Sequence, residues 1–158
     1  MEAEELLKRY KQGERDFSKI NLVAVNLPEA NLSGVNLSKA NLSEANLDGA
    51  NLTAVNLSKA NLRKANLGAV NLTTANLSGA NIIEANLIEA NLTEADLSQA
   101  NLSETNLGFA ILVKANLTMA NLCNAFLIEA DITDADLSHA VLQGAIMPNS
   151  EPAYMKQG

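Results

Sequence analysis

The sequence predicts an all-β fold, a four-sided solenoid closed at its N-terminus by a short capping α-helix. Three observations carry this. An apolar centre recurs every five residues from Phe17 to Met147, at 27 positions of which 23 are Leu and the others Phe17, Ile82, Ile132 and Met147. A small residue stands two positions before nearly every centre, Ala in 20 of the 27 units and Val in four (Val25, Val35, Val55, Val70). Ser or Thr follows the centre in a pattern that repeats every 20 residues, so four units make one coil.

A period of five excludes the regular alternatives. In an α-helix, at about 100° per residue, successive centres would drift about 140° around the axis and form no stripe. In a flat strand they would alternate between the two faces. The chain must therefore turn once per unit, pointing one large and one small residue inward. The superperiod follows from Ser18, Ser38, Ser58, Ser78, Ser98, Thr118 and Ser138, with a second series at Ser33, Thr53, Thr73, Thr93 and Thr133. Equivalent residues then stack at about 4.8 Å, and the 27 units build a rod about 32 Å long. Ser38, Ser58 and Ser78 are expected to align as an exposed column. Val at four small positions and Thr105 at another should crowd a core that Ala otherwise keeps narrow.

The ends need separate elements, because a solenoid exposes its terminal coils. Over residues 2–12, Ala3, Leu6, Leu7 and Tyr10 fall on one helical face. Glu2, Glu4 and Glu5 occupy the first turn and Lys8, Arg9 and Lys11 the last, as the helix dipole favours. Gly13 is the stop signal. At the other end Pro148, Asn149, Ser150 and Pro152 interrupt the repeat. The expected organisation is a capping helix in 1–14, the solenoid in 15–149 and a tail in 150–158.

Charge and composition narrow the function. The net charge is −7, which disfavours direct nucleic-acid binding. It is uneven: residues 76–149 carry nine acidic side chains against Lys114 alone. The single cysteine, Cys123, precludes an intrachain disulfide. Met1 to Gln12 has no apolar signal-peptide core and no apolar run is long enough to span a membrane, so the expected compartment is the cytoplasm.

No catalytic, cofactor or metal constellation is visible, so neither an enzyme nor a cofactor is expected. His139 and Cys123 lie singly on outward slots. Lys19, Lys39 and Lys59 stack in one register, with Arg63 and Lys64 around the corner, and read as a solvated column. The informative departures are apolar. Ile88, Phe109, Phe126, Ile128 and Ile146 take outward slots of one face, and Ile111 and Val113 lie on the next face at the same height. Such a cluster is the candidate contact surface, for an unknown protein partner or for self-association. Drift of a decaying repeat is the alternative.

The units, twenty-seven consecutive near-matches to Ala-Asn-Leu-x-x, resemble the pentapeptide-repeat family, whose consensus is Ala-(Asp/Asn)-Leu-x-x. The resemblance covers Arg15 to Asn149. It implies a right-handed quadrilateral β-helix and, for most of the family, an unassigned role. It also implies an alternative function, because the best-understood branch are acidic rods that resemble B-DNA and bind DNA gyrase. The whole rod of residues 15–149 carries a net charge of only −6, a poor match to a duplex of that length. The half from 76 to 149 matches better, although its acids scatter over all four faces.

Overall fold

The computed structural model describes residues 1–150. Helix α1, Ala3–Lys11, is followed by a right-handed four-sided β-helix of seven stacked levels. Isolated parallel bridges link the residue before each centre to its equivalent 20 positions on, from Asp16↔Asn36 to Phe126↔Ile146. The four faces are named here by their centres: the first holds Phe17 to Leu137, the second Leu22 to Leu142, the third Leu27 to Met147 and the fourth Leu32 to Ile132.

The unit of residues 76–80 shows why this sequence makes this backbone. Asn76 N–H donates back to Val55 O at 2.9 Å, and Leu77 N–H donates forward to Asp96 O at 2.7 Å. Gly79 N–H donates forward to Ser98 O at 2.8 Å, while Ala80 N–H closes a tight turn on Leu77 O at 3.0 Å. The remaining donor, Ser78 N–H, goes to the side-chain Oδ1 of Asn76 at 3.0 Å. All five N–H groups of the unit are thereby satisfied, which a backbone this closely packed requires. The Asn that precedes each centre is thus the turn's own acceptor, an Asx turn. Its Nδ2 reaches the next level, as from Asn66 to Asn46 Oδ1 at 3.1 Å and from Asn86 to Asn66 Oδ1 at 3.0 Å.

Each turn takes its second residue through the left-handed region. Positive φ occurs at all 27 such positions, of which only Gly34, Gly49, Gly79 and Gly144 are glycine. For the others this costs about 1–2 kcal/mol each, offset by inter-coil hydrogen bonds such as Lys39 N–H to Ser58 O at 2.9 Å.

The core is one continuous column. Centres from Phe17 to Leu127 are at most 2% exposed. The expected crowding at the small position does not show in the turn-closing bond, which is 3.4 Å at Val35 and 3.3 Å at Val70 but 3.1 Å at Val25 and Val55, and 3.3 Å at Ala30 against 3.0 Å at Ala40 and Ala60. Thr105 is fully buried, and its hydroxyl donates to Ile82 O at 2.9 Å.

The two ends differ. At the N-terminus Leu6 of α1 is fully buried in the core cluster, with Ala3, Leu7 and Tyr10 partly buried against it. Tyr10 is less covered than the sequence pattern suggests, because its hydroxyl reaches out to Ser33 O at 3.2 Å. Gly13 ends the helix in a Schellman motif, with Gly13 N–H on Tyr10 O and Glu14 N–H on Arg9 O. Glu2 is the N-cap but makes no side-chain cap bond. At the other end Ile132, Leu137 and Leu142 are only partly buried. No described coil stacks on them, and their N–H groups have no acceptor among the described residues. The tail expected in 150–158 lies, after Ser150, outside the described residues.

The serine column needs correction. Ser38, Ser58 and Ser78 do align, one per level, but they are half-buried. Each backbone N–H donates to the Asn two residues before it, and Ser78 Oγ also folds onto this ladder, donating to Asn76 Oδ1 at 2.7 Å. Arg63 and Lys64 do not extend the lysine column either, because both pair with Glu84, Lys64 at 3.5 Å.

Candidate contact surface on the third face

On the third face, the residue after the centre runs Gly68, Ile88, Gly108, Ile128 in successive levels, linked by Ala69 N–H to Ile88 O at 2.8 Å and Phe109 N–H to Ile128 O at 2.9 Å. The residue before the centre runs Asn106, Phe126, Ile146. Phe109 and its column neighbours Glu89 and Glu129 form the corner with the fourth face. The register thus puts all five candidate residues on one face, within four consecutive levels.

Their exposures are unequal. Phe109 is 58% exposed, Ile128 44%, Phe126 43% and Ile146 37%. Ile88 is half-buried and so departs from the expectation of a uniformly exposed patch. It shares a column with Gly68 and Gly108, both buried, and its half-burial is that of the same slot in other units, as at Ser78, Ile83 and Thr93. Around the corner Ile111 is exposed and Val113 half-buried.

Sequence reasoning overlooked what the apolar residues displace. Four units lack Asn or Asp before the centre: Ile111, Phe126, Val141 and Ile146. The N–H groups two residues on, at Val113, Ile128 and Gln143, consequently have no hydrogen-bond partner among the described residues. In the fourth unit residue 148 is Pro, which has no N–H to satisfy. Where Asp replaces Asn, the turn acceptor survives. Asp131 Oδ1 accepts the Thr133 N–H at 3.0 Å and hydroxyl at 2.6 Å, and Asp136 Oδ1 accepts the Ser138 N–H at 2.9 Å. Hydrogen bonds from the Thr133 side chain and backbone, and from those of Ser138, hold the two carboxyls below the ordinary Asp range. Asp16 is lowered likewise, by the Ser18 N–H first and then by the Ser18 and Asn36 side chains. An exposed Asx-turn signal, Asn or Asp two residues before a turn donor, was available in the sequence to reveal this.

The surroundings are acidic. Glu89, Glu104 and Glu129 flank the patch without an ion pair among the described residues, whereas Glu84 is taken up by Arg63 and Lys64. Below the patch edge an open cleft of about 430 Å³ lies between Glu129–Thr133 and the Pro148–Asn149 turn. His139 is exposed and Cys123 half-buried, with its N–H held by Asn121 Oδ1 at 3.0 Å. No cluster of three or more His, Cys, Asp or Glu side chains that could hold a metal is present among the described residues, and no described helix is long and apolar enough to cross a membrane.

A family model described as pentapeptide repeats matches the chain in 8 copies, whose stretches include 16–53, 50–87, 71–108, 80–118 and 110–149. No curated protein sequence matches it. Among solved structures the chain is similar to Rfr23, a pentapeptide-repeat protein from the cyanobacterium Cyanothece 51142. The identity is 27%, with 92% of this chain and 99% of that one covered and a TM-score of 0.62. It is also similar in fold to QnrB1, a plasmid-mediated fluoroquinolone resistance protein, at 20% identity and a TM-score of 0.53 over 83% of this chain and 69% of that one.

Proposed function

Because the chain belongs to the pentapeptide-repeat family, we propose that it is a non-catalytic binding or scaffold protein of the cytoplasm whose contact surface is the third face of its β-helix. One observation carries this reading: exposed apolar side chains replace the asparagine ladder there, although the ladder is what completes the backbone hydrogen bonding elsewhere. Losing a turn bond costs about 1 kcal/mol, and the exposed part of each ring returns nothing to the fold. Phe109 adds to this. It is the only Phe, Tyr or Trp at the 27 left-handed positions, and its ring is mostly in solvent. An apolar centre inside a charged rim is the usual anatomy of a protein interface, with aromatic anchors.

The test is Phe109→Ser combined with Phe126→Asn, which restores the polar pattern and leaves the inward Leu ladder untouched. Folding, followed by circular dichroism, is expected to survive, and partner capture or self-association to fall. Unchanged partners and an unchanged oligomeric state would sink the reading.

A second reading has its own observation. Residues 76–149 carry a net charge of −8 over about 18 Å of rod, where DNA would carry about 10. That density favours a DNA-mimicking modulator of gyrase or another topoisomerase. Against it, the acids occupy all four faces, and Glu84 is neutralised by two cations. A supercoiling assay with purified gyrase decides: no effect at saturating protein removes this reading.

A further inference from the structure

The third face also carries information about what it holds. Its apolar centre is ringed by Glu89, Glu104 and Glu129, none of them ion-paired among the described residues. Lys114, on the far corner of the fourth face, is the only cationic side chain from 76 to 149. In the middle of the patch, among exposed apolar side chains, the Ile128 N–H lacks the acceptor that Asn provides in other units. A partner that satisfies all of this brings apolar groups, positive charges and a free carbonyl oxygen together.

We propose that the third face docks a cationic amphipathic peptide segment of a partner protein. The proposal rests on reading this face as the contact surface. The segment's apolar side chains cover Phe109, Phe126 and Ile128, its Lys or Arg side chains meet the three glutamates, and one of its backbone carbonyls accepts the Ile128 N–H. A second copy fits worse, because a two-fold contact sets the same acidic rim against itself, and like charges across an interface are unfavourable. An anionic lipid surface is repelled for the same reason.

The probe is a short fluorescent peptide of alternating Leu and Lys, with Leu/Glu and Ser/Lys peptides as controls, titrated onto the full chain and followed by anisotropy and amide chemical shifts. Saturable binding of the Leu/Lys peptide is expected, with the largest shifts at Ile128 and its neighbours on the third face. Phe109→Ser with Phe126→Asn should weaken it about tenfold or more. Glu89→Gln with Glu129→Gln should weaken it severalfold and flatten its salt dependence. Equal binding of either control peptide, shifts on other faces, or indifference to both double variants would overturn the proposal. So would a wild-type dimer that the aromatic double variant turns into a monomer. In that last case the face remains a contact surface and only its occupant changes, whereas loss of neither partner nor self-association in that variant would remove the contact reading itself.

Discussion

The side-chain oxygen of Asn76 accepts both hydrogen bonds that Ser78 can donate, from N–H at 3.0 Å and from Oγ at 2.7 Å. Repeated along the rod, this pairing is what Asn contributes to the unit, and it gives a direct way to measure what the patch costs.

Replacing Phe126 by Asn should restore the missing acceptor for Ile128 N–H and extend the ladder from Asn106. A stabilisation of about 0.5–1.5 kcal/mol is expected in urea unfolding, together with weaker binding. A destabilised Phe126→Asn would mean that the ring is there for packing.

The left-handed turns predict a second asymmetry. Gln99, with φ 58°, makes no side-chain hydrogen bond. Gln99→Gly should relieve about 1–2 kcal/mol of strain and return about 0.5–1 of it as chain entropy, leaving a small net gain. Gly79, with φ 65°, should lose about 1 kcal/mol as Ala. A loss of stability in Gln99→Gly, or none in Gly79→Ala, would contradict the turn assignment.

Interior volume should be tightly specified. Leu77 and Ala80 are each 1% exposed. Leu77→Ala should cost about 2–5 kcal/mol and Ala80→Leu about 1–3 kcal/mol. Calorimetry showing either to be neutral would break the inward assignment.

Acid should loosen the fold through its depressed carboxyls. Asp16, Asp131 and Asp136 each have a folded pKa below the ordinary Asp value, so their contribution is present above about pH 3.9. It is lost as pH falls through the lowered folded values. Asp131→Asn with Asp136→Asn keeps both Oδ1 acceptors and removes the titration, so the urea midpoint should fall less steeply with acid than in the wild type. An identical acid profile would assign the sensitivity elsewhere.

Deleting residues 1–13 removes Leu6 from the core cluster and uncovers Phe17 and Leu22. The truncated chain should fray or associate, as sedimentation would show. A monomer of unchanged stability would deny α1 its capping role.

Period and superperiod were legible because the inward positions admit only a large and a small apolar residue, and because a turn per unit is forced by the spacing. The α1 face was legible from the spacing of Leu6, Leu7 and Tyr10. Less visible was the left-handed turn. Glu, Lys and Ala predominate there, and local preference points away from positive φ, but bonds to the neighbouring coil override it. The half-burial of Ile88 was hidden as well, since the slot after a centre is partly covered by the neighbouring levels whatever residue fills it, as at Ser78 and Thr93.

The link from each residue to the one 20 positions on has a consequence for insertions and deletions. Removing one whole coil shortens the rod and leaves every downstream side chain on its original face. Removing a single five-residue unit turns everything beyond it through a quarter turn, carrying Phe109 and Phe126 away from their present alignment with α1. Length and facing are therefore separately adjustable by gene duplication, in steps of twenty residues and of five.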